Sequence, residues 1–119
     1  MPHMFVEYSS NLNGLNEDLL LEKLNAAVCA NPTVSDEADV KTRIHALNQY
    51  RIGLHPANRA FVHVQLNLMA GRTPEIKKQL SDAIAAVLKA HVQAPDTLKV
   101  QLSVDICDMD RDSYFKGTL

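Results

Sequence analysis

Aromatic side chains are scarce in this chain, at 5%, and its basic residues are not clustered. That combination argues against a nucleic-acid platform, which needs stacking surfaces among its cations. The charge balance points the same way: Lys and Arg number 12, Asp and Glu 14, and the formal net charge is -2. A chain so balanced carries no polybasic patch for an anionic membrane surface. No apolar run approaches the roughly 20 residues that cross a bilayer, and the first residues lack a secretory hydrophobic segment. Cysteine is limited to Cys29 and Cys107, isolated and without CxxC spacing. They read as reduced packing thiols, so the expectation is a cytoplasmic protein with neither membrane nor nucleic acid as partner. A Gly-rich phosphate loop, a GxSxG elbow and an HExxH helix are all missing.

What remains is ordinary for a globular domain: 119 residues, 46% hydrophobic and 22% charged. The length fits one domain, residues 1–119. A domain this small buries a limited core, and oligomerisation is a natural supplement.

The hydrophobic pattern predicts a strand over Met4–Tyr8, then a polar turn from Ser9 to Gly14. Asn16 is placed to cap a helix with Glu17 and Asp18 in its first turn. Leu20, Leu24, Ala27 and Val28 form that helix's apolar stripe, and Asn31-Pro32 ends it. A second strand is expected over roughly Val40–Leu47. The pattern then repeats. Val62, Val64, Leu66 and Leu68 alternate with Phe61, His63, Gln65 and Asn67 across Ala60–Leu68. Gly71 turns the chain, Thr73 caps and Pro74 opens a second helix, striped by Ile76, Leu80, Ala83, Ile84, Val87, Leu88 and His91. Pro95 closes it off, and Lys99–Cys107 is the last strand.

Phe5-Val6 matches Phe61-Val62, Glu17 matches Glu75 and Lys41 matches Lys99 at nearly constant offset. The chain is a duplicated β-α-β unit. A helix between the strands of each unit allows parallel pairing by a right-handed crossover. The expected fold class is α+β, a two-layer sandwich of a four-stranded sheet with both helices on one face. Alternation then puts His3, Phe5, Glu7, Lys41, Arg43, His45, His63, Gln65, Asn67, Lys99, Gln101, Ser103 and Asp105 on the other face. That face is too polar for a dry core. It is either a solvated sheet surface or a wet interior between subunits, and the pattern does not choose.

Pro2 is the first chemical candidate. If Met1 is removed, it presents a secondary amine, and a sheltered site with nearby cations would lower its pKa toward neutrality. With Met1 attached the same nitrogen is an amide and no base. Proline is also simply common near chain ends. Arg72, at a strand-to-helix turn, could hold a carboxylate together with the backbone amides there. Lys41 and Arg43, two residues apart on one strand face, could bind a second carboxylate. Taken alone, each of these cations is more commonly a solvated surface charge. His3, His45 and His63 share the polar face, but no helical ligand spacing accompanies them, and hydrogen bonding is favoured over a metal site.

With Pro2, the duplicated unit and Arg72 in place, the chain resembles the 5-carboxymethyl-2-hydroxymuconate isomerases of the tautomerase superfamily. The similarity is carried by Pro2-His3-Met4-Phe5-Val6-Glu7-Tyr8, Arg43-Ile44-His45, Phe61-Val62-His63-Val64, Ala70-Gly71-Arg72 and Phe115-Lys116, and covers nearly the whole chain. Wider relatives include 4-oxalocrotonate tautomerase and macrophage migration inhibitory factor. The resemblance implies a tautomerase-like homotrimer with sites near subunit boundaries. It implies ketonisation of a dienol with three carboxylates in homoprotocatechuate degradation, with Pro2 as base and no metal or organic cofactor. Arg72 would act as a catalytic cation, and Lys41 and Arg43 would bind substrate. Lys41 stands where better-known members carry arginine, and the Asn48–Asn58 loop departs from their pattern. A tautomerase for another enol or unsaturated acid, or a non-catalytic trimer, are the alternatives.

Overall fold

Met4, Val6 and Tyr8 point to one side of a strand while Phe5 and Glu7 point to the other. The first three are buried and the other two exposed. This is β1, His3–Ser9, in a computed structural model describing residues 1–119. It is followed by α1, Glu17–Cys29, then β2, Lys41–Leu47, β3, Arg59–Met69, α2, Pro74–His91, and β4, Lys99–Met109. A single 3₁₀ turn, Glu37–Asp39, precedes β2; Asp36 caps it by accepting from the Ala38 amide. The duplication does not extend to that turn, so the repeat could not indicate it.

The sheet order is β2-β1-β3-β4. β1 pairs parallel with β2, β3 pairs parallel with β4, and the two units join through antiparallel β1 and β3. Val6 lies opposite Val64 at that junction. The predicted pairing within each unit is therefore what forms. β1 and β3 run one residue further at each end than the hydrophobic pattern indicates, and β4 runs to Met109. Ladder hydrogen bonds continue there after the side-chain alternation stops carrying information.

Asn16 accepts from the Leu19 amide and starts α1, as its side chain predicts; Thr73 does the same for α2 through Ile76, with Pro74 in the first turn. Leu20, Leu24 and Val28 from α1 and Leu80, Ile84 and Leu88 from α2 are buried against Met4, Val6, Val62, Val64, Leu66 and Leu68. Both helices thus cover one sheet face. Burying each such side chain contributes about 1.5–3 kcal/mol, and this shared cluster is what holds the two units together. Leu102 in edge strand β4 is 36% exposed, so the core thins toward that edge. No helix is long and apolar enough to cross a membrane.

The opposite face is open, and register sorts it into rows. Lys41, His3 and Asn67 form one; Arg43, Phe5, Gln65 and Asp105 the next; His45, Glu7, His63 and Ser103 the third. His63 Nδ1 lies 2.7 Å from Ser103 Oγ in the last of these. His3 sits two rows from His45 and His63, and no group of three His, Cys, Asp or Glu side chains is arranged to hold a metal ion.

Candidate active site

β3 and β4 are parallel and end level, Met69 opposite Met109, so whatever follows each strand emerges at the same end of the sheet. After β3 the chain turns at Gly71, whose φ of +124° belongs to a backbone region that side-chain-bearing residues rarely adopt. The turn is fastened to β4 by the Ala70 amide on Met109 O, 3.0 Å. Arg72 follows, then the Thr73 cap. After β4 comes Arg111, whose Nε donates to Ala70 O at 2.9 Å. Two arginines 39 positions apart are thereby set on the same turn.

Arg72 is fixed from the other side by the segment that leaves α1. Its Nε donates to Thr33 Oγ1 at 2.9 Å and its Nη2 to Thr33 O at 3.0 Å. Its Nη1 reaches Met69 O at 3.4 Å. Thr33 is itself held by Asn31, whose Oδ1 accepts from both the Thr33 amide and hydroxyl. The Asn31-Pro32 helix stop is thus also the anchor for a functional candidate. Partial burial, and then the like charge of Arg111, depress the Arg72 pKa from its usual value, although a guanidinium stays charged at any physiological pH.

Pro2 is buried at the start of β1, and its carbonyl accepts from the Lys41 amide at 3.1 Å. A cavity of about 180 Å³ lies beside it, lined by Met1, Pro2, Thr33, Asp39, Arg72 and Arg111 among others. The Met1 ammonium faces Asp39 Oδ2 at 3.5 Å. Desolvation lowers the pKa of that terminal amine, and the Asp39 carboxylate opposes the shift. Lys116 donates to Asp39 Oδ1 at 2.8 Å and holds the Asp39 carboxyl below its usual range.

Of the residues singled out in the sequence, Pro2 and Arg72 come together here. Lys41 and Arg43 do not line the cavity. They stand in the open-face rows, Lys41 Nζ donating to Asp39 O at 3.1 Å. Arg43 lies 4.2 Å over the Phe5 ring and within 3.4 Å of His3 Nδ1. The sequence reading missed Asp39 and Arg111. Arg111 lies beyond the expected end of the last strand, and only the β3–β4 register, Met69 opposite Met109, sets it beside Arg72; Asp39 carried no local signal either. Cys29 and Cys107 are both free, with thiol pKa values raised by burial, so neither is an activated nucleophile.

Residues 2–118 match the family described as 5-carboxymethyl-2-hydroxymuconate isomerase. The chain belongs to this family. It is 29% identical to the 5-carboxymethyl-2-hydroxymuconate Delta-isomerase of Escherichia coli, over 98% of this chain and 93% of that protein. It superposes with a TM-score of 0.89 on the crystal structure of a 5-carboxymethyl-2-hydroxymuconate isomerase from Deinococcus radiodurans R1. That protein is 32% identical, and the match covers 99% of this chain and 90% of the other. A fused 4-OT solved as an asymmetric trimer shares the fold at 21% identity, with a TM-score of 0.74 over 97% of this chain and 92% of that one. The four-stranded sheet with two helices is thus the tautomerase fold, and Pro2, Arg72 and Arg111 line one cavity at the end of that sheet in this chain.

Proposed function

We propose that this protein is an isomerase that moves a proton within a polycarboxylated dienol, with the secondary amine of Pro2 as base after Met1 is removed. The observation that carries this reading is the shared cavity: Pro2 is buried beside two guanidinium groups in a pocket with one carboxylate, which Lys116 already faces. Shelter and neighbouring cations lower the pKa of an amine, and both surround this terminus, as the depressed Met1 amine illustrates. A base poised near neutrality exchanges protons efficiently in both directions.

The substrate class is that of the family name, 5-carboxymethyl-2-hydroxymuconate, and the metabolic setting is homoprotocatechuate degradation in the cytoplasm. The amine takes the 2-hydroxyl proton, the enolate oxygen becomes a carbonyl, the double bonds shift, and the ammonium returns the proton to a distant carbon. Arg72 faces the charge that develops on oxygen or on an adjacent carboxylate. No metal or organic cofactor enters this sequence of steps. The assembly is a homotrimer. The polar open face, the edge strands β2 and β4, and Phe115, 86% exposed, are surfaces that a neighbouring copy would cover. In that assembly Lys41 and Arg43 would serve a site shared with another subunit.

The test compares ketonisation of the dienol, followed by ultraviolet absorbance, between protein shown by mass to start at Pro2 and protein retaining Met1. The Met1 form should be inactive, because an amide nitrogen has no basic lone pair. Pro2→Ala should fold but lose about 10²–10⁴-fold in kcat. Full activity from a chain that keeps Met1 would end this reading.

A further inference from the structure

Arg72 and Arg111 face one cavity but differ in what they have left to offer. A guanidinium carries five N–H donors. Arg72 directs three of them at Thr33 Oγ1, Thr33 O and Met69 O. Arg111 donates only through Nε, to Ala70 O, and its two terminal nitrogens have no protein acceptor. Neither arginine has a carboxylate partner: the ion pairs join Asp39 to the Met1 amine and Lys116, Lys77 to Asp108, and Lys78 to Asp82. Two like charges therefore stand together with no carboxylate at ion-pair distance, Asp108 acting on Arg72 only from further away, beside a cavity whose only carboxylate is already faced by two cations.

Arg111 is also held in a defined pose. Its Nε is pinned to Ala70 O, and Nη2 lies across Gly71, where an added Cβ would come within 3.5 Å of it. The free edge carrying Nη1 and Nη2 is the edge that grips a carboxylate with two parallel hydrogen bonds.

We propose that Arg111 is the carboxylate-binding fork of the Pro2 cavity, taking a second carboxylate of the ligand while Arg72 remains tied to Thr33 and Met69. This deepens the isomerase reading and rests on it for the identity of the substrate. It makes the cavity selective for small molecules with two carboxylates over those with one.

A saturated diacid cannot be isomerised, so its binding reports on the subsite alone. Isothermal titration calorimetry of processed protein with adipate and with hexanoate measures the selectivity directly. Arg111→Ala should weaken adipate binding by about 10- to 100-fold and move hexanoate binding within about threefold, the range of lost charge-assisted hydrogen bonds. Arg111→Lys, keeping the charge without the fork, should fall between, and Lys78→Ala, remote on α2, should match the wild type. Thermal melts of the Arg111 variants verify the fold. Unchanged adipate affinity in Arg111→Ala, equal loss for both acids, or a wild type that does not prefer the diacid each overturns the proposal. If Arg111-dependent diacid binding is found in a protein that ketonises no dienol, the isomerase reading falls and the subsite stands.

Discussion

The Asp39 carboxylate lies 2.8 Å from Lys116 Nζ, tying the segment before β2 to the chain's C-terminal tail next to the first residue. Asp39 also raises the pKa of the terminal amine against the desolvation that lowers it. Asp39→Asn removes the raising influence. The amine pKa should therefore fall, and in processed protein the acid limb of the kcat/KM profile should move to lower pH. A limb that stays in place would show that Asp39 does not tune the base.

Arg72→Ala takes away a cation of the Pro2 cavity and leaves Thr33 O without its donor. Turnover of a carboxylated dienol should drop by about 10- to 100-fold in kcat/KM. Arg72→Lys should recover only part, since a point charge cannot hold Thr33 and a ligand in one plane. Wild-type kinetics in Arg72→Ala would remove this residue from the site.

His3 bonds Tyr114 Oη through Nε2 at 2.8 Å, and Arg43 approaches its Nδ1. Partial burial first, and then the charges of Arg43, Lys41 and the N-terminus, keep its pKa below 6.5. The folded state thus favours the neutral ring, and the unfolded chain binds more protons as pH falls below 6.5. This contribution to stability is complete above that pH and is lost as pH drops through the folded-state value. Urea midpoints measured from pH 7.5 to pH 5 should decline, and His3→Gln should flatten part of the decline. An identical decline in both proteins would clear His3 of the effect.

Sedimentation equilibrium at micromolar concentration should give the mass of three chains, with an obligate-type interface of about 2,000 Å² or more in total. Phe115→Asp places a charge on the most exposed of the phenylalanines and should shift the mass toward the monomer. A wild-type mass of one chain rejects the trimer.

The architecture was legible because its signals are local. Val62, Val64, Leu66 and Leu68 alternate with period two, Leu80, Ile84 and Leu88 recur with the period of a helix, and Asn16 and Thr73 cap where they stand in sequence. Each signal lies within one element, and the repeat announced that the elements come twice. Pro2 and Arg72 were legible as candidates for a related reason, since a residue's chemistry and its place beside a turn can be read in sequence. The 3₁₀ turn at Glu37–Asp39 left no such mark, and the place of Asp39 beside the first residue came with it.

By itself, then, the sequence determined which segments are strands and helices, which faces they bury, and that a proline stands second in the chain. Only the tertiary structure decided that Arg111 joins Arg72 beside Pro2 while Arg43 goes to Phe5 and His3 on the open face. The physical reason is register. Hydrophobic periodicity states which side of a strand a residue takes, but β3 and β4 ending level at Met69 and Met109 is a property of their hydrogen-bonded pairing. That pairing carries two arginines, distant in sequence, to one turn.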